Sequence, residues 1–116
     1  MNISKVAEMS ELTPVTLRYY EKVGLIPPIN RKSGGVRDYS EEDLGWIEFI
    51  KCMRNAGLSI DSLINYTNLY QIGRGTEEER KEILKKEREQ LMERYQEMGE
   101  TLERLNYKIA NYEAIQ

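Results

Sequence analysis

Histidine is absent from this 116-residue chain, and cysteine occurs once, at Cys52. Without histidine, imidazole acid–base catalysis and Ser-His-Asp triads are excluded. A single cysteine forms no intrachain disulfide, and one cysteine with no histidine builds no zinc site. No apolar run approaches the roughly 20 residues that span a bilayer. Residues 1–12 lack an apolar core and carry Glu8 and Glu11, so they do not read as a secretory signal. The expected location is therefore the cytoplasm, with no membrane partner, no metal and no cofactor. The length allows one head and an appendage, too little for a catalytic cleft between substrate and cofactor domains. An enzyme is not expected.

Charge is what the chain has in quantity. Charged residues make up 32% and the net charge is −3. A net negative charge taken alone opposes binding to a polyanion. The distribution reverses that inference. Residues 14–39 carry Arg18, Lys22, Arg31, Lys32 and Arg37 against only Glu21 and Asp38. A local basic surface is the footprint of a nucleic-acid reader, whatever the whole-chain sum.

Helical periodicity organises the rest. Ile3, Val6 and Ala7 give residues 3–9 one apolar face. Thr13 and Pro14 form a helix start, with threonine as N-cap and proline where its missing N–H costs nothing. That helix runs to Val23 and stops at Gly24. The pair over 3–23 is a helix-turn-helix. Pro27 and Pro28 then forbid helix. Residues 25–39 place two short extended pieces around Gly34-Gly35, the pattern of a β-hairpin, here a basic wing. Ser40 caps a helix over 40–56 with Asp43 in the capping-box position. A further helix is predicted over 59–72.

From Thr76 to Tyr112 only Gly99 interrupts strong helix formers. Leu84, Leu91, Met98, Leu105 and Tyr112 fall seven apart. Tyr95, Leu102 and Ile109 fall seven apart on the adjoining line. These are d and a positions of one coiled-coil seam, with Lys81 and Arg88 at the earlier a positions weakening its start. So long a stripe needs a partner helix, and a second copy of the chain is the simplest. The expected fold is mainly α: a winged helix-turn-helix head over 1–72 and a dimerisation helix over 76–112. A constitutive architectural binder, or a module whose helix mates with a different chain, also satisfies this pattern.

The string T-x-x-T-L-R-Y-Y-E-x-x-G-L-I at Thr13–Ile26, with R-x-Y at Arg37–Tyr39 and Y-S-E-E-D-L after it, resembles the MerR family of bacterial transcription regulators. The resemblance implies a homodimer joined by an antiparallel coiled coil. It implies a palindromic operator inside a promoter with an over-long spacer, which the activated dimer bends and untwists so that RNA polymerase engages both promoter elements. The helix Pro14–Val23 then reads the major groove. Thr16, Arg18 and Tyr19 are candidates for base-edge or nearby phosphate contacts, and Tyr20 and Lys22 for phosphate contact or packing. Arg31, Lys32, Arg37 and Tyr39 of the wing are candidates for backbone contacts. Metal-sensing relatives carry cysteines near the end of the long helix, and this chain has none there.

The stretch W-I-E-F-I-K-C-M-R-N-A-G-L around Cys52 resembles the NmlR-like group, which responds to aldehydes and other thiol-reactive electrophiles. Lys51 and Arg54 lie close in sequence and favour a thiolate. The opposing reading is physical too. Cys52 follows Phe49 by three residues and precedes Ala56 by four, the spacing of an inert core residue. With Cys52 inert, the chain reads as an inducer-independent repressor.

Overall fold

The structure is a computed structural model describing residues 1–115, and it contains five helices. They are α1 (Ile3–Ser10), α2 (Pro14–Val23), α3 (Glu41–Asn55), α4 (Ile60–Ile72) and α5 (Glu77–Ile115). The boundaries follow local chemistry. Thr13 Oγ1 accepts the Thr16 N–H at 3.1 Å and Pro14 opens α2, while Gly24 closes it at φ +85°. Ser40 and Asp43 form the expected capping box, each side chain accepting the other's backbone N–H at 3.1 and 2.9 Å. Three acids in the first turn of α3 face the positive helix end.

The head closes around one core. Val6 of α1, Leu17 and Tyr20 of α2, Ile47 and Ile50 of α3 and Leu63 of α4 meet Leu25, Ile26, Ile29, Tyr39 and Leu58 from the connections. Lys51 Nζ donates to the Ser10 carbonyl at 2.7 Å, putting a cation on the C-terminal end of α1. Thr67 Oγ1 donates to the buried Leu25 carbonyl at 2.8 Å, so the irregular segment after α2 is pinned to α4.

The wing is smaller than the hairpin its sequence suggests. Among the described residues there is no sheet, only one antiparallel bridge, Arg31–Arg37. Lys32 N–H donates to the Val36 carbonyl at 2.8 Å and Gly35 N–H to the Lys32 carbonyl at 3.0 Å. Gly34 and Gly35 adopt φ +93° and +85°, values that L side chains resist. Extended pairing ends quickly because Ile29 and Tyr39 turn inward at the two feet of the wing, both buried.

α5 is 39 residues long, about 58 Å at 1.5 Å per residue. It stretches the molecule to 71 × 35 × 19 Å. Its first part lies against α4, and the remainder extends away from the head. No helix among the described residues is long and apolar enough to cross a membrane.

Candidate nucleic-acid interface

α2 divides cleanly into two faces. Leu17 and Tyr20 enter the core, whereas Val15, Arg18, Tyr19 and Lys22 are exposed. Positions 15, 18, 19 and 22 share one side of a 3.6-residue helix. That geometry separates the two tyrosines: Tyr19 is 45% exposed and Tyr20 only 7%. Burial raises the Tyr20 phenol pKa, with the charge of Arg54 opposing. Of the two readings open for Tyr20, phosphate contact or packing, its burial favours packing. Arg18 and Lys22 form no ion pair among the described residues, so both charges are free for an anionic ligand. Thr16 sits half-buried at the start of this face, its hydroxyl 3.0 Å from that of Thr13.

The wing flanks this face. Arg31 and Lys32 are exposed, and Arg31 Nη1 donates to the Gly35 carbonyl at 3.1 Å. Arg37 is held differently: its Nε donates to Glu21 Oε1 at 2.7 Å. Tyr39 is 2% exposed, with its hydroxyl buried and unpartnered, and burial raises its pKa. Tyr39 is thus corrected from a wing contact to a core residue, because the wing's second foot plugs into the head.

By sequence Glu21 is only an acid set against a basic tally. In the structure one carboxylate gathers the wing: Oε1 accepts from Arg37, Oε2 accepts the Ile29 N–H at 3.0 Å, and Arg31 Nη2 lies 4.0 Å away. Burial by itself would raise the pKa of Glu21. The Arg37 and Ile29 hydrogen bonds and the two guanidinium charges outweigh it and hold the carboxyl below its ordinary value. No periodicity reveals such a residue, since its partners are 8 to 16 residues away.

Cys52 is exposed, which removes the inert-core reading. The neighbouring cations are occupied elsewhere, Lys51 on the Ser10 carbonyl and Arg54 Nη1 on the Leu58 carbonyl at 2.7 Å. Nearer the start of α3, Trp46 and Phe49 join Gly45, Glu42 and Tyr66 around an open cavity of about 360 Å³. Tyr70 meets Trp46 edge-on at 4.8 Å and donates its hydroxyl to Glu42 at 3.1 Å.

The seam residues fall into two groups. Tyr95, Met98, Leu102, Leu105, Ile109 and Tyr112 are all more than half exposed. Leu84 and Leu91 are half-buried, and Leu91 packs against the core of its own head. Leu91 thus meets its own head while standing on the heptad line assigned to the seam.

Comparison with known proteins agrees with this arrangement. A family model described as MerR HTH family regulatory protein matches residues 1–69, and another described as MerR, DNA binding, matches residues 44–107. The chain is 63% identical over 93 residues to the HTH-type transcriptional regulator AdhR of Bacillus subtilis (strain 168). That match covers 80% of this chain and 66% of AdhR, just under two thirds of its length. A crystal structure of a MerR family transcriptional regulator from Listeria monocytogenes superposes with a TM-score of 0.96 at 50% identity, covering 97% of this chain and 86% of that one. The structure of HiNmlR, a MerR family regulator lacking the sensor domain, bound to promoter DNA, superposes with a TM-score of 0.87 at 30% identity over 97% of this chain and 89% of its own.

Proposed function

This chain belongs to the MerR family of DNA-binding transcription regulators, and on that premise we propose that it acts as a homodimer on a palindromic promoter operator. It is a regulator and not an enzyme. Each head lays the face bearing Arg18, Tyr19 and Lys22 into a major groove, with Thr16 at its edge. Arg31, Lys32 and Arg37 of the wing meet the flanking phosphates. The observation that carries this reading is the free cationic stripe of α2 beside the basic wing, on a chain whose net charge is negative. The distal seam of α5 pairs two chains antiparallel and fixes the spacing of the two heads. The active dimer bends and untwists the promoter spacer, so that RNA polymerase engages both promoter elements through the shared DNA.

Cys52 is the sensor in this reading. Its exposure on α3 supports attack by the thiolate on the carbonyl carbon of an aldehyde: an S–C bond forms, and the carbonyl electron pair moves to oxygen, which takes a proton from water. α3 leads through α4 to the dimer helix, so bulk added there changes the angle between the heads.

Footprinting on the regulator's own promoter region tests the operator claim, and Arg18→Ala should weaken that binding by about 1–3 kcal/mol. Removing one or two base pairs from the spacer should make the promoter active without the protein. An unchanged requirement for the protein refutes the distortion mechanism. In a reporter strain Cys52→Ser should abolish the aldehyde response, and a retained response refutes Cys52 as the sensor.

A further inference from the structure

Glu21 is an anion placed beside a surface built to meet phosphates. By charge alone it opposes binding, because it offsets one of the cations that would neutralise the duplex. Its geometry explains its presence. It is the sole acid of α2, its side chain is 13% exposed, and its oxygens take donors from the first foot of the wing, through Ile29 N–H, and from the returning segment, through Arg37 Nε. The wing's second foot is also tied to the N-terminus, whose ammonium donates to Asp38 Oδ1 at 3.1 Å and to the Tyr39 carbonyl at 2.7 Å, but among the described hydrogen bonds only those of Glu21 join residues 29–39 to α2. The wing lacks a sheet, makes one bridge, and everything from Asn30 to Val36 is exposed.

We propose that Glu21 is a positioning residue that locks the wing to the recognition helix and thereby sets the ratio of specific to non-specific DNA binding. The inference rests on the operator reading above. Non-specific binding counts charges and tolerates a loose wing. Specific binding needs the wing and α2 at one fixed spacing, because phosphate contacts set the register in which side chains reach base edges. Glu21 therefore gives up non-specific affinity in return for discrimination. Arg37 is the arm through which it acts: the bidentate-capable guanidinium is held by Nε, leaving its outer nitrogens directed by the clamp rather than by rotamer chance.

The test is Glu21→Gln, measured as the affinity of the full chain for its footprinted operator fragment and for a scrambled duplex of equal length, across a salt series. The two affinities should move in opposite directions. Scrambled-duplex affinity rises and its salt dependence steepens by about one released ion. Operator affinity falls on the order of tenfold, the equivalent of one charge-assisted hydrogen bond. In an Arg37→Gln background, Glu21→Gln should no longer change the ratio. Parallel loss on both duplexes means that Glu21 only supports the fold, and parallel gain means that it is only a repelling charge. Either result overturns the proposal. If Glu21→Gln does not fold, Glu21→Asp keeps the charge with a shorter reach, and an unchanged ratio in that variant overturns the proposal equally. A wild-type chain that fails to distinguish operator from scrambled duplex overturns the operator reading itself. A wild type that discriminates beside an equally discriminating Glu21→Gln overturns this inference alone.

Discussion

The two halves of α5 carry one heptad pattern and meet opposite fates. Between Arg80 and Arg94 one face of the helix is covered by its own head. Arg80, Glu87 and Arg94, seven residues apart, each send a polar group to that head. Arg80 lies 5.5 Å from the Tyr70 ring centre, Glu87 Oε2 accepts the Ser59 N–H at 3.4 Å, and Arg94 Nη2 donates to the Ala56 carbonyl at 3.1 Å. Leu91 packs on the same side. Beyond Arg94 the described side chains are exposed, the apolar stripe included. A heptad stripe shows that a helix face needs cover and leaves open whether the cover comes from its own chain or from another. The polar line decides it here: where the a positions are Lys81 and Arg88, the g positions bond to the head, and where the a positions turn apolar at Tyr95, the head has ended.

The strongest way to break this contrast is at the distal half. Leu102→Lys with Leu105→Lys puts cations into the uncovered stripe without touching the head. Sedimentation should show the mass falling from a dimer to one 13.6 kDa chain. Operator affinity should drop on the order of 10²-fold or more, because two linked heads bind with an avidity that separate heads lack. The thermal transition of the head should survive. An unchanged mass would mean that the exposed stripe is not the dimer contact.

The proximal half answers differently. Leu91→Ala, made in the monomeric background so that assembly and folding are separated, should lower unfolding stability in urea by about 1–2 kcal/mol. That is less than a fully buried leucine, since Leu91 is only half covered. Glu87→Ala should cost somewhat less, about 1 kcal/mol, by leaving the Ser59 N–H at the start of α4 without its acceptor. If both variants melt as the parent does, the proximal half is not docked on the head in solution.

This contrast also marks how far sequence carries. All five helices were legible, because N-caps, terminal glycines and 3.6-residue periodicity are local signals: Thr13 with Pro14, Ser40 with Asp43, Gly24 after Val23. What was not legible depends on distant pairing. Tyr19 and Tyr20 are adjacent in sequence and only the packing of α2 separates them. Tyr39 looked like a wing residue until its foot was seen in the core. Cys52 sits at core-compatible spacing from Phe49 and Ala56, yet α3 turns it outward. Nothing local marks Glu21 or Glu87, yet each accepts a backbone N–H from a residue far along the chain, Ile29 and Ser59.

Tyr107 provides the finest test, because exposure and heptad position disagree about it. It is 71% exposed, as open as Met98, yet it lies two residues past the d position Leu105, on the outer side of the helix. If exposed apolar area alone drove pairing, Tyr107→Ala would weaken the dimer about as much as Met98→Ala. If the seam is the a/d stripe, Tyr107 faces water in the dimer too, and its loss should change dimer stability by less than about 0.5 kcal/mol, as surface substitutions usually do. Met98→Ala at the seam should cost at least 1–2 kcal/mol, roughly, per removed side chain. Dilution series of the two variants, read by mass, separate these outcomes. Equal dissociation constants would show that the pairing face is wider than the heptad stripe.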